Sequence, residues 1–117
     1  MKEDQVKSAR DIDPHKAVDR IITNSRVYAM AKAHRVYVEE YRKSLKAILM
    51  KESLETAANA QEREAYSSPR YREHLQAIYE AIVEEETLRW EMVAAQARVE
   101  VWRSQEASNR VEGKLTL

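Results

Sequence analysis

Three histidines, His15, His34 and His74, are the first residues to weigh, because imidazole serves both as a metal ligand and as a general base. A helical metal site needs ligands about one turn apart on one face, as in HExxH or the Glu-x-x-His pairs of di-iron bundles. The three histidines stand far apart, and no glutamate lies three residues before any of them. They read as surface or capping residues. The carboxylate run Glu84-Glu85-Glu86 cannot converge on one substrate, since successive helical residues point about 100° apart. There is no cysteine for thiolate chemistry, no G-x-S-x-G elbow, and a single glycine, Gly113, where phosphate-binding loops need several. The sequence reads as a non-enzyme with no cofactor and no metal.

Two groups of residues could bind rather than catalyse. Lys32, Arg35, Arg42, Lys43 and Lys46 could contact phosphates while Tyr37 and Tyr41 stack on bases, a combination suited to single-stranded DNA. That role requires the side chains to face away from the rest of the molecule. The alternative is a solvated basic face complementary to an acidic partner helix. The second group is the segment from Leu88 to Arg103, which mixes alanines with Trp90 and Trp102. Small residues allow close helix approach and tryptophans anchor interfaces, so Trp90, Trp102, Tyr79 and Val101 are candidates for protein contact or self-association, with Trp90 the better fitted of the two tryptophans to packing inside the fold.

These residues have few elements to sit on. The 117-residue chain contains two prolines, Pro14 and Pro69, so turns must be rare. Good helix formers dominate the composition. Asp13-Pro14 and Ser68-Pro69 each pair an N-capping side chain with proline at the first helical position. Apolar residues recur at Val18, Ile21, Ile22, Tyr28, Ala29, Val36, Tyr37, Ala47, Ile48 and Leu49 with a gap around 39–43, and this predicts one helix over about 14–63, kinked or broken at most near that gap. A turn over about 63–68 and a helix over about 69–111 follow. The second seam is predicted along Leu75, Ile78, Ile82, Arg89, Met92, Gln96 and Val99, beside a row of Tyr79, Val83, Trp90, Val93, Ala97 and Val101. Residues 1–12 read as a polar arm, 13–112 as the hairpin and 113–117 as a tail, with Gly113 a late stop. The fold class is all-α, a long antiparallel, coiled-coil-like hairpin, and the width of the second apolar stripe predicts self-association into a helical bundle.

Charge divides along the chain. Formal net charge is zero, with 20 basic and 20 acidic residues. From Pro14 to Lys51, nine basic residues outweigh three acidic ones; residues 52–117 hold eight basic and thirteen acidic. A turn centred near Ala65 makes facing residue numbers sum to about 130, which sets Lys46 near Glu84 and Glu85, Tyr41 near Trp90 and Ala29 near Trp102. Oppositely charged arms favour this antiparallel orientation, although exposed pairs contribute only about 0–1 kcal/mol each. No apolar run reaches membrane-spanning length and no signal peptide opens the chain, so the expectation is a soluble protein of the cytoplasm.

The stretches Arg63-Glu64-Ala65-Tyr66-Ser67-Ser68-Pro69-Arg70-Tyr71-Arg72-Glu73-His74-Leu75 and Leu88-Arg89-Trp90 through Val101-Trp102-Arg103-Ser104-Gln105 resemble small uncharacterised helical proteins of temperate bacteriophages and prophages. The resemblance covers roughly the last two-thirds of the chain. It implies an accessory of phage recombination or replication in the bacterial cytoplasm, beside single-strand-annealing functions, and it brings no catalytic residue. Contact with an as yet unspecified protein partner, with a second copy, or with single-stranded DNA would be its means. Two alternatives stand beside it: an oligomerisation module indifferent to nucleic acid, and an inhibitor of a host nuclease or defence complex whose acidic helix imitates a phosphate backbone.

Overall fold

The structure, a computed structural model, describes residues 12–116. The polar arm expected over 1–12 therefore lies outside the described residues except for Ile12. Three helices follow in order: α1 over Pro14–Glu52, α2 over Ala58–Ser67 and α3 over Pro69–Thr116. Buried residues of α1 meet residues of α3 in descending order, Leu45 with Tyr71 and Val38 with Ile78 and Ala81, so the long helices pair antiparallel in an all-α helical hairpin.

Both proline-marked starts hold. Asp13 Oδ1 accepts from the backbone N–H of His15 at 2.9 Å and of Lys16 at 3.3 Å, satisfying donors that the first turn leaves open. Ser68 Oγ does the same for the Arg70 N–H at 3.2 Å. The α1 helix is continuous through 39–43 but stops at Glu52, where the sequence predicted it to reach about 63. Side chains, with no glycine or proline, close the break. Ser53 Oγ accepts from the Glu55 N–H at 3.1 Å and donates to Glu64 at 2.6 Å, while Gln61 Nε2 donates to the Glu55 carbonyl at 2.9 Å.

The short α2 corrects the expected register. Arg35 faces Glu85 and Val38 faces Ile78, numbers that sum to 120 and 116 and not to about 130. Residues assigned by the sequence to the arms are spent on α2 and its connection. Lys46 consequently meets Glu62 rather than Glu84 or Glu85, and Tyr41 meets His74 rather than Trp90.

Two compact units divide the chain. In the unit of residues 28–87, the covered positions that recur at seam spacing are Tyr28, Ala31, Arg35, Val38, Leu45 and Leu49 on α1 and Tyr71, His74, Ile78, Ala81 and Glu85 on α3. Steps of three and four, interrupted on α1 by exposed Arg42, mark a coiled-coil seam. Leu45, Leu49, Ala65 and Tyr71 pack together with Met50 against them, and Tyr66 meets Tyr71 edge-on at 5.1 Å. This cluster is what folds α2 back, because Ala65 can be covered only if α2 lies against the end of α1.

In the other unit, residues 12–27 and 88–116, the same spacing runs through Ala17, Ile21 and Asn24 on α1 and Leu88, Met92, Ala95, Val99 and Trp102 on α3. Ala17 and Ala95 are its buried residues. The α3 helix passes through Gly113, which has an ordinary helical φ, and ends later than the predicted 111.

The seam is thus narrower and richer in alanine than the sequence pattern implied. Ile78, Met92 and Val99 belong to it, whereas Leu75 and Ile82 lie outside it and Ala81, Glu85 and Ala95 take places that the apolar pattern passed over. No large side chain is fully buried among the described residues.

Candidate interaction surfaces

The basic candidates on α1 do not form one stripe with the tyrosines. At about 100° per residue, Lys32, Arg35, Arg42, Lys43 and Lys46 fall within an arc of roughly 100°, while Tyr37 and Tyr41 lie about 140–180° from Lys32. The seam separates the lysines from the tyrosines. A strand of nucleic acid lying along one set would not reach the other.

Two of the cations are also engaged inside the fold. Arg35 occupies a seam position, where Nε donates to Glu85 Oε2 at 2.6 Å, Nη2 to Glu85 Oε1 at 3.1 Å, and Nη1 to Glu39 Oε2 at 3.1 Å. Hydrogen bonds to Glu85, then to Glu39, hold the guanidinium pKa above its ordinary value. Lys46 is raised as well, first by Tyr66, over whose ring its Nζ sits at 4.8 Å, and then by Glu62, whose Oε1 is 3.2 Å away. Lys43 pairs with Glu40 one turn back at 3.2 Å. Lys32 and Arg42 are exposed.

The aromatic residues of α1 make their own surface. Tyr37 and Tyr41 stack with centroids 6.1 Å apart, and Tyr41 lies 5.6 Å from the ring of His74. His74 Nε2 in turn sits 2.6 Å from the Val38 carbonyl oxygen, which fixes the ring across the seam. Tyr37 remains two-thirds exposed, at 66%.

The contact with His74 also identifies the flank of α3 beside the tyrosines. Positions 73, 77, 80 and 84 lie on that side of the seam, and 75, 79 and 82 on the other. Glu73, Glu80 and Glu84 therefore form an acidic flank next to the tyrosines, all three exposed. The sequence reading fixed on the consecutive run Glu84-Glu85-Glu86 and missed this alignment; the spacing of seven and four residues was the available signal. The run itself divides, with Glu84 on the acidic flank, Glu85 in the seam and Glu86 on the far side.

The candidates for protein contact are placed as follows. Tyr79 is exposed on the flank it shares with Leu75 and Ile82. Trp90 is 58% exposed, with the Arg89 guanidinium 4.6 Å over its ring, so it is not packed inside the fold as the sequence favoured. Trp102 takes the seam position instead and is half-buried. Val101 borders a shallow depression on α3 with Glu100, Ser104, Gln105, Ser108 and Asn109. Among the described residues, no group of His, Asp and Glu could hold a metal ion, and no helix is long and apolar enough to cross a membrane. No protein-family model, curated protein or solved structure matches the chain.

Proposed function

We propose that the chain is a non-enzymatic interaction protein that works through protein–protein contact, as an accessory of DNA recombination or replication in the phage setting that its sequence resemblance implies. The observation that supports protein contact is the inversion of apolar exposure. Half of the buried hydrophobic residues are alanines, while Tyr37, Tyr79, Ile82, Val83 and Trp90 are exposed. Within this set Tyr79 and Ile82 share one flank with exposed Leu75, and a contiguous apolar row of this kind is a feature of interfaces.

Exposed apolar side chains on the flank of Leu75, Tyr79 and Ile82 extend the same reading to self-association.

Single-stranded DNA contact is the less supported limb, because the cations and tyrosines do not share a face. Titrating the full chain with labelled single-stranded oligonucleotide at several salt concentrations, beside sedimentation velocity of the chain alone, tests both limbs. A concentration-dependent oligomer with no salt-dependent oligonucleotide binding is the expected result; a strict monomer that binds oligonucleotide with a steep salt slope would overturn the protein-contact reading.

One observation favours a second reading. The aligned and exposed carboxylates Glu73, Glu80 and Glu84 support a reading of the chain as an inhibitor whose acidic face imitates a phosphate backbone.

A further inference from the structure

We propose that the flank formed by Tyr37 and Tyr41 of α1 with Glu73, Glu80 and Glu84 of α3 is a docking surface for a cationic amphipathic helix of a partner protein. This rests on the protein-contact reading and names the surface and the chemistry that reading leaves open.

Charge complementarity carries the inference. The cations of α1 in this unit do not neutralise this flank: Arg35 is bound across the seam by Glu85, Lys46 by Glu62 of α2, Lys32 and Lys43 lie beyond the seam, and exposed Arg42 forms no ion pair with the three carboxylates. Arg70, which shares the acidic side, is taken by Glu52 at 2.8 Å. No ion pair engages Glu73 or Glu84 among the described residues, and Glu80 meets only the amide of Gln76 at 3.4 Å. Beside these carboxylates the stacked tyrosines offer apolar area with negative ring faces, which attract ammonium and guanidinium groups. An apolar row of a partner helix can lie on Tyr37 and Tyr41 while its flanking lysines or arginines reach Glu73, Glu80 and Glu84.

A second copy of the chain fits less well. Its exposed apolar flank, Leu75, Tyr79 and Ile82, carries Glu86 on the same side together with Arg72, with Lys32 and Lys43 across the seam, so acid and base are interspersed there. A copy would therefore bring mixed charge where the surface asks for positive charge.

The test uses the full chain and a fluorescent Leu/Lys amphipathic peptide helix, with Leu/Gln and Leu/Glu versions as controls. The Leu/Lys peptide is expected to bind at least about tenfold more tightly than Leu/Gln at low salt, with the difference shrinking as salt is raised. E73Q/E80Q/E84Q should remove most of that preference, and Y37S should weaken both peptides, while L75S/I82S on the opposite flank changes neither. Circular dichroism verifies that each variant stays helical. Equal binding of Leu/Lys and Leu/Gln, indifference to the triple substitution, or equal sensitivity to L75S/I82S would each overturn the proposal. Displacement of the peptide by unlabelled chain at the concentrations where the chain self-associates would overturn it too, by naming a second copy as the occupant. Partner capture that survives the triple substitution would remove this surface and leave the protein-contact reading standing; loss of all protein contact would remove both.

Discussion

Arg35 and Glu85 meet through two hydrogen bonds, 2.6 Å and 3.1 Å, each from a seam position of its own helix. A charge pair at a seam is a device for register more than for stability, because desolvation offsets much of the attraction and a slipped register leaves both charges facing apolar neighbours. Here a slip by one heptad toward Ile78 would set Arg35 against Ile78 and Glu85 against Tyr28.

Replacing one member should therefore cost more than replacing both. Glu85→Leu, which leaves the guanidinium with Glu39 alone, is expected to lower the thermal midpoint, and Arg35→Met with Glu85→Leu to recover most of the loss. Thermal unfolding followed by circular dichroism gives the order. A double variant less stable than the single one would contradict it.

Ala95 is fully covered, at 0% exposure, so its methyl group marks a close approach within the seam. Ala95→Leu should destabilise by about 1–3 kcal/mol through overpacking, although it adds apolar surface. Urea unfolding measures this, and an unchanged midpoint would show that the seam there has room.

Ala57 begins α2 with extended backbone, φ −84° and ψ 136°, and makes no side-chain cap. Ala57→Asp places an acceptor where first-turn N–H groups need one and should stabilise by about 0.5–1 kcal/mol. If urea midpoints stay level, the packing and side-chain bonds of α2 hold it without a cap.

How far these features were legible in the sequence differs with their physical cause. Helix starts at Pro14 and Pro69 could be read because a capping side chain and a proline act locally. The end of α1 could not. Ser53, Glu55, Gln61 and Glu64 make a break only through bonds that exist once α2 has folded back, and no turn-specific residue announces them. The register error followed, since a tight turn near Ala65 presupposed an uninterrupted first helix. The candidate surfaces failed differently. Counting apolar residues ranks Leu75 and Ile82 above Ala81 and Ala95, but a close-packed seam selects small side chains, and the tyrosines and lysines of α1 look contiguous in sequence while lying on different sides of the helix.

Lys46 supplies a prediction in pH. Its pKa is raised by Tyr66 and Glu62, so its contribution is fully present below the unfolded value of about 10.4 and is lost as pH rises through the folded value. The stability difference between the wild type and Lys46→Gln should be level from neutral pH to about 10 and shrink above it. Paired urea titrations at several alkaline pH values check this; a difference that grows above pH 10 would reverse the assignment.

Gly113 sits in helical backbone with nothing within 4 Å of an added Cβ. Gly113→Ala should stabilise the end of α3 by about 0.5–1 kcal/mol. Slower amide exchange over the last turns of α3, with little change in the global midpoint, is the expected readout.

The connection over residues 53–57 leaves Leu54 98% exposed, and a protease could reach it without first unfolding α1 or α2. A cut at the Leu54–Glu55 bond would leave one fragment carrying α1 and another carrying α2 and α3. The seam would then hold two molecules, and whether they stay together would depend on dilution, so that a folding equilibrium becomes a fragment-complementation assay with the connection's own effective concentration as its measurable quantity.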